Sequence, residues 1–291
     1  MSFRSLVYKL MAMGPLILLG SLAAQSRWYA DPFEYVSCTS QQQKDISAYI
    51  DVVRASEPLE NGPAKPEDIR RVASLWVQGK AEGTLRPLTP CWVDDTMRSP
   101  VKIQIKMAND AVTQKLINLA RKEAESGQAW QAAQDHLLAL NVDNAIKFSD
   151  PLTVMMTGTR ERSILGMIRS EASVLSSTEK KRLANQIVQF TKLQVPLDDL
   201  ARITATNVGR EEQRLGINEL ASIDPEQATG VGLERKDVRP EMASWTAIQH
   251  DAYKKKIEPT TNYLGLAYES QGRLKDTADS VIAVLMPKPA A

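Results

Sequence analysis

From about residue 109 to the carboxyl terminus, apolar side chains recur three and four positions apart and hardly anywhere two apart. That period belongs to helices that each bury one stripe, and it argues against a sheet-built core for most of the chain. Val112, Leu116, Leu119, Ala120 and Glu123 step down one face until Gly127 interrupts the pattern. Ala129, Ala132, Ala133, His136, Leu137 and Leu140 resume it, and Ile164, Met167, Ile168, Ala172 and Leu175 mark a third helix. Ser176 with Glu179 three residues later reads as a capping box for a fourth, whose inward residues are Leu183, Ile187 and Phe190. Pro196 opens a fifth carrying Leu197, Leu200 and Ile203, and Pro240 another carrying Met242, Trp245, Ile248 and Tyr253. Only 5% of residues are aromatic, which suits helices packed closely on one another. The expected fold class is mainly α, a helix-pair (α-solenoid-like) stack or an irregular helical bundle over residues 106–291.

Residues 27–105 read as a separate zone, because seven of the 15 prolines fall there. Two helices fit between the breaks. One covers about 42–55, with Ile46, Tyr49, Ile50 and Val53 on one stripe. The other starts at Pro66, whose fixed φ suits a first helical turn, with Glu67 and Asp68 facing the positive end of the helix dipole. Ile69, Val72, Ala73 and Trp76 form its buried side, and Gly83 ends it. Residues 101–107 (VKIQIKM) alternate strictly and are the best strand candidate in the chain.

Ahead of this zone, residues 10–26 carry no charge, Arg4 and Lys9 precede them, and Arg27 follows. Residues 1–26 therefore read as a cleaved signal peptide or a retained membrane anchor. A spanning helix needs about 17–20 apolar residues, so this run sits at the lower limit. Either outcome places the rest on the outer side of the cytoplasmic membrane, periplasmic or anchored there. Cys38 and Cys91 are the only cysteines, and an even pair in an oxidising compartment favours a disulfide between them. Such a bridge would stabilise by about 4 kcal/mol in the chain-entropy model.

The sequence carries little recognisable chemistry. Lys and Arg total 36 against 35 acidic residues, so the chain has no field to gather nucleic acid. The basic runs at 180–182 and 254–256 read as solvated helix faces. No cofactor or metal site is expected, since neither cysteine has a second ligand at metal-binding spacing. His136 and His250 each follow or precede an Asp, but sequence neighbours on a helix point apart, so they read as core-edge or surface residues. Met155, Met156 and Met167 read as core filler. No residue is assigned as catalytic. A pair of carboxylates could still serve a polysaccharide hydrolase as acid and base. The candidates are Asp94, Asp95, Glu161 and Glu171.

Residues 261–289 resemble a tetratricopeptide unit. Leu264 and Gly265, Tyr268, Gly272 and Pro289 stand where that family has its Leu-Gly, Tyr, turn Gly and terminal Pro. Thr277 and Val284 stand where it has Ala, and Thr261 replaces its leading Trp. Residues 116–144 resemble the same unit through Ala120, Gly127, Ala132 and Ala139, with Glu123 at the Tyr position. The resemblance implies helix pairs turned at Gly127 and Gly272, a close approach at Gly265, and a concave face that binds a protein or peptide. Residues 169–173 (RSEAS) resemble more faintly the catalytic Glu-Ser of helical lytic transglycosylases, without the Gly-rich turn and Met-Gln that accompany it. The expectation is a non-enzymatic helical protein that binds or organises envelope proteins, and alternatively an envelope polysaccharide hydrolase. Its partners would be a protein or peptide and, through residues 10–26 if these are retained, the membrane.

Overall fold

The computed structural model describes residues 40–60, 62–85, 100–147, 151–196, 198–202, 204, 246–252, 254 and 258–287. The leader, Cys38, Cys91, Asp94, Asp95 and all of 205–245 lie outside these, and with them the disulfide and anchor expectations. The chain is all-α over the described residues, with no strand among them. In order come α1 (Ser40–Glu60), α2 (Pro66–Ala81), α3 (Pro100–Glu125), α4 (Ala129–Asn144) and α5 (Pro151–Glu171). A 3-10 turn (Ala172–Val174), α6 (Ser177–Lys192), α7 (Ala247–Ala252) and α8 (Glu258–Leu285) follow. Among the described residues, no helix is long and apolar enough to cross a membrane.

Three helices open on a proline, Pro66, Pro100 and Pro151, a position where the missing N–H forfeits no hydrogen bond. At α2, Glu67 and Asp68 occupy the first turn and Lys80 the last, matching the dipole at both ends. Gly83 follows with φ of +69°, a left-handed conformation that favours glycine. At α6, Ser176 and Glu179 close the full capping box.

Two sets of four helices pack around a shared member. Helices α1, α2 and α3 contact one another, with α4 packed on α2 and α3, and α4, α5, α6 and α8 form a second ring. Helix α4 belongs to both and buries ten of its sixteen residues. A single apolar cluster runs through both sets, from Ile46 and Trp76 through Leu116, Leu140 and Ile168 to Val281. A boundary at 105/106 therefore falls inside α3 and inside one core.

The α3–α4 pair is an antiparallel hairpin turned at Gly127, whose φ is +81°. Its register is pinned by Asn109 Nδ2 donating to the Val142 carbonyl at 2.7 Å and by the Thr113 hydroxyl donating to Asp143 at 2.8 Å.

The expected strand at 101–107 is instead the first two turns of α3. Ile105, Ala108, Val112 and Leu116 are its buried stripe at helical spacing, whereas Ile103 and Met107 stand 39% and 59% exposed. The alternation thus mixed one buried residue with two that face solvent, and a helix satisfies its backbone internally where a lone strand could not. Of the methionines expected as core filler, Met167 is half-buried and packs on the main core, Met155 is half-buried and Met156 is exposed. Ile248, expected on a buried stripe, is 75% exposed on α7. His250 lies in the same short helix.

The largest correction concerns residues 261–289. They form no helix pair: α8 runs unbroken through Gly265 and Gly272, and a Cβ at either would meet nothing within 4 Å. Leu264, Ala267, Ser270, Leu274, Ala278, Val281 and Leu285 are its buried stripe, and burial of that stripe outweighs about 1 kcal/mol per glycine against helix. The partner of α8 is α5, about 110 residues earlier and parallel to it. Ser270 lies against Met155 and Gly158, and Ser280 against Arg169, so both helices advance together. Neighbours joined by a tight turn are antiparallel, which excludes a repeat hairpin here. The close helix approach occurs at Gly158, where an added Cβ would stand 2.4 Å from Ser270 Oγ. Gly265→Ala and Gly272→Ala are each expected to raise stability by about 0.5–1 kcal/mol in urea unfolding, because Ala is the better helix former. Loss of stability in either variant would mean a turn at that position.

Candidate functional site

Helix α4 buries four polar residues, Asp135, His136, Asp143 and Asn144, on a helix otherwise lined with Ala, Leu and Val. They form two belts about two turns apart, and the groups they face lie on α2, α3 and α5 and at the end of α6. Burial of a polar group without a partner costs several kcal/mol, so these partners decide where the neighbours sit.

In the first belt Arg70 of α2 donates Nε to Asp135 Oδ1 at 2.9 Å and Nη2 to Asp135 Oδ2 at 2.8 Å, a bidentate fork. It also reaches Glu123 of α3. The Asp135 hydrogen bonds raise the Arg70 pKa further. Burial and the nearby Asp135 charge push Glu123 up. His136 Nδ1 stands 3.0 Å from Glu171 Oε1, but the two lack hydrogen-bond alignment. Both side chains are at least nine-tenths buried.

The second belt gathers at the carboxyl end of α4. Asp143 accepts two N–H groups from Arg160 of α5 and the Thr113 hydroxyl of α3. Burial raises its pKa even so. Arg160 also donates to Asp110 at 2.6 Å, and Lys106 reaches the same carboxylate at 2.5 Å. Burial alone would lower the Arg160 pKa, but Asp143 and Asp110 raise it instead. Just past α4, Lys147 is fully buried and pairs with the equally buried Glu161 of α5. It also donates to Gln194 Oε1 at 2.5 Å. Glu161 Oε1 accepts no hydrogen bond, and burial lifts this carboxyl to about 7. Lys80, in the last turn of α2, donates to the Asn144 carbonyl at 2.6 Å and the Leu193 carbonyl at 3.5 Å. Burial, with Lys147 beside it, lowers Lys80 to about 7. Asn144 Nδ2 donates to the same Leu193 carbonyl at 3.1 Å.

The sequence candidates are thus dispersed by the fold. Glu161 is consumed by Lys147 and Glu171 lies against His136, a residue expected at the core edge or surface and found in the core. Glu171 ends α5 rather than lying within it. Lys80, Asp143, Lys147 and Arg160 were not singled out in the sequence. The signal that could have found them is Asp143 and Lys147 continuing the α4 stripe after His136 and Leu140, where an apolar residue belongs. Among the described residues no group of three or more His, Cys, Asp or Glu could hold a metal ion. The second belt gathers four basic groups, Lys80, Lys106, Lys147 and Arg160, and three acidic ones, Asp110, Asp143 and Glu161, and each acid is paired with a base within the fold.

No family model matches the chain, and comparison with curated proteins and with solved structures finds no relative.

Proposed function

We propose that this chain is an exported or membrane-anchored, non-enzymatic helical protein that binds or organises envelope proteins through its helix surfaces. One observation supports this over hydrolysis: both described acid candidates are buried away from solvent, Glu161 paired with Lys147 and Glu171 packed against His136. A glycosidase needs two carboxyls flanking a substrate that can reach them. The surface also exposes Ile103 and Met107 one turn apart on α3, apolar area that a protein partner could cover. In the α3–α4 hairpin Ala120, Ala132 and Ala139 are fully buried and Gly127 makes the turn, so kinship to tetratricopeptide units rests on this pair.

The full chain, cross-linked in intact cells and purified, should carry a discrete envelope protein. If no protein is enriched and the chain cleaves cell-wall fragments in a manner lost on Glu171→Gln, the hydrolase reading replaces this one.

A further inference from the structure

The second belt joins ends rather than faces. Lys80, on the last turn of α2, reaches the carbonyls of Asn144 and Leu193, which terminate α4 and α6. A cation there satisfies orphan carbonyls and meets the negative ends of two helix dipoles. Lys147, one turn beyond α4, is tied to Glu161 of α5 and to Gln194 just after α6. We propose that Lys80, Lys147 and Glu161 form a proton-operated latch that fastens α2 and α5 to the carboxyl-terminal ends of α4 and α6.

The two ammonium groups and one carboxylate cannot all be charged without penalty in a site this dry. In the acid form Lys80 is cationic on the helix ends and Glu161 is neutral. In the alkaline form Glu161 is ionised against Lys147, and Lys80 is a neutral amine that still has N–H groups for the α4 and α6 ends and no longer carries a charge that burial penalises. Both groups change over near neutrality, at about 7 in each case. The surrounding charges are paired with one another, although burial also raises the Asp143 carboxyl and its charge helps to raise Glu161. Asp143 and Arg160 hold each other, Asp110 is shared by Arg160 and Lys106, and the Tyr49 hydroxyl of α1 faces the Ala145 carbonyl at 3.4 Å. On α8 the pair Glu269 and Arg273 lies exposed within its own helix. Burial pushes the Tyr49 hydroxyl up, out of the neutral range.

The folded Glu161 carboxyl holds its proton more tightly than the unfolded one, whose value is about 4.3. Its contribution to stability is full below that value and is lost as the pH rises to about 7. The folded Lys80 holds its proton less tightly than in the unfolded chain, at about 10.4. Its contribution is full above that value and is lost as the pH falls to about 7. The latch is therefore weakest near neutrality, and folding takes up a proton on the acid side and releases one on the alkaline side.

The test is urea unfolding of the full chain from pH 5 to 9, with Lys80→Met and Glu161→Gln as comparisons. Relative to Lys80→Met, the wild-type folding constant should rise about tenfold per unit from pH 7.5 to 9. Relative to Glu161→Gln, it should fall about tenfold per unit from pH 5 to 6.5. Should Glu161→Gln fail to fold, a carbon-13 titration of the Glu161 carboxyl in the wild-type chain replaces it, with a midpoint near neutrality expected. A flat ratio for Lys80→Met, a flat ratio for Glu161→Gln, or a carboxyl midpoint below pH 5 would each overturn the latch.

Discussion

Glu161→Leu is expected to lower the stability of the folded chain by about 3–5 kcal/mol at pH 8, read as a fall in the urea midpoint. At that pH the native carboxyl is ionised, since its changeover lies at about 7. Leucine matches the volume but offers no charge and no acceptor. Lys147, fully buried, would keep only the Gln194 amide oxygen as a side-chain acceptor. An ammonium taken from water and left without a counter-ion is among the most expensive single changes in a core. The exposed pair Arg273–Glu269, 63% and 54% accessible, supplies the contrast. Solvent screens both charges there, and Glu269→Leu should change stability by less than about 1 kcal/mol.

A comparable loss, about 3–5 kcal/mol, is expected for Trp76→Ala. Trp76 is fully buried and the largest such side chain among the described residues. It seals the junction between α1 and α2: its indole donates to Ser56 Oγ at 3.2 Å, and its ring lies 6.4 Å from that of Tyr49. Alanine there removes the packing of both helices and leaves a cavity that rigid neighbours cannot close. Ser56 retains its own bond to the Val52 carbonyl, so the loss comes chiefly from packing. Trp76→Phe should fall by much less, because most of the ring volume remains. Differential scanning calorimetry of the three proteins separates these outcomes, and an alanine variant within about 1 kcal/mol of wild type would mean that α1 and α2 do not share the main core.

The fold class was legible because the 3.6-residue period is a local property, repeated over many residues. Starts and stops written in local chemistry were legible for the same reason. Pro66 with Glu67 and Asp68, the Ser176–Glu179 box, and Gly127 need no tertiary partner to act. The continuity of α8 was not legible, because Gly272 is a weak breaker and the decisive burial of Leu274, Ala278 and Val281 is supplied by α5 and α6. The strand reading of residues 101–107 failed likewise: two of the apolar residues that alternate there face solvent in the fold. Candidate chemistry was hardest to place. The partner of Asp135 is Arg70, that of Asp143 is Arg160, and that of His136 is Glu171. Pairings across 17 to 65 residues depend on which helices become neighbours. What the sequence did display was a charged residue at a stripe position, Lys147, and such a residue needs a buried counter-ion somewhere.

The claim that the buried charges are internal cross-links rather than a reaction centre is tested most directly by a double-mutant cycle on Lys147 and Glu161. Unfolding of wild type, Lys147→Met, Glu161→Leu and the double variant at pH 8 gives the coupling between the two side chains. Each single variant should be strongly destabilised, while the double variant should return to within about 1 kcal/mol of wild type, because an apolar pair of similar volume replaces both charges. Two small, additive losses would contradict the account: they would mean that the ammonium and carboxylate do not depend on each other in the folded chain.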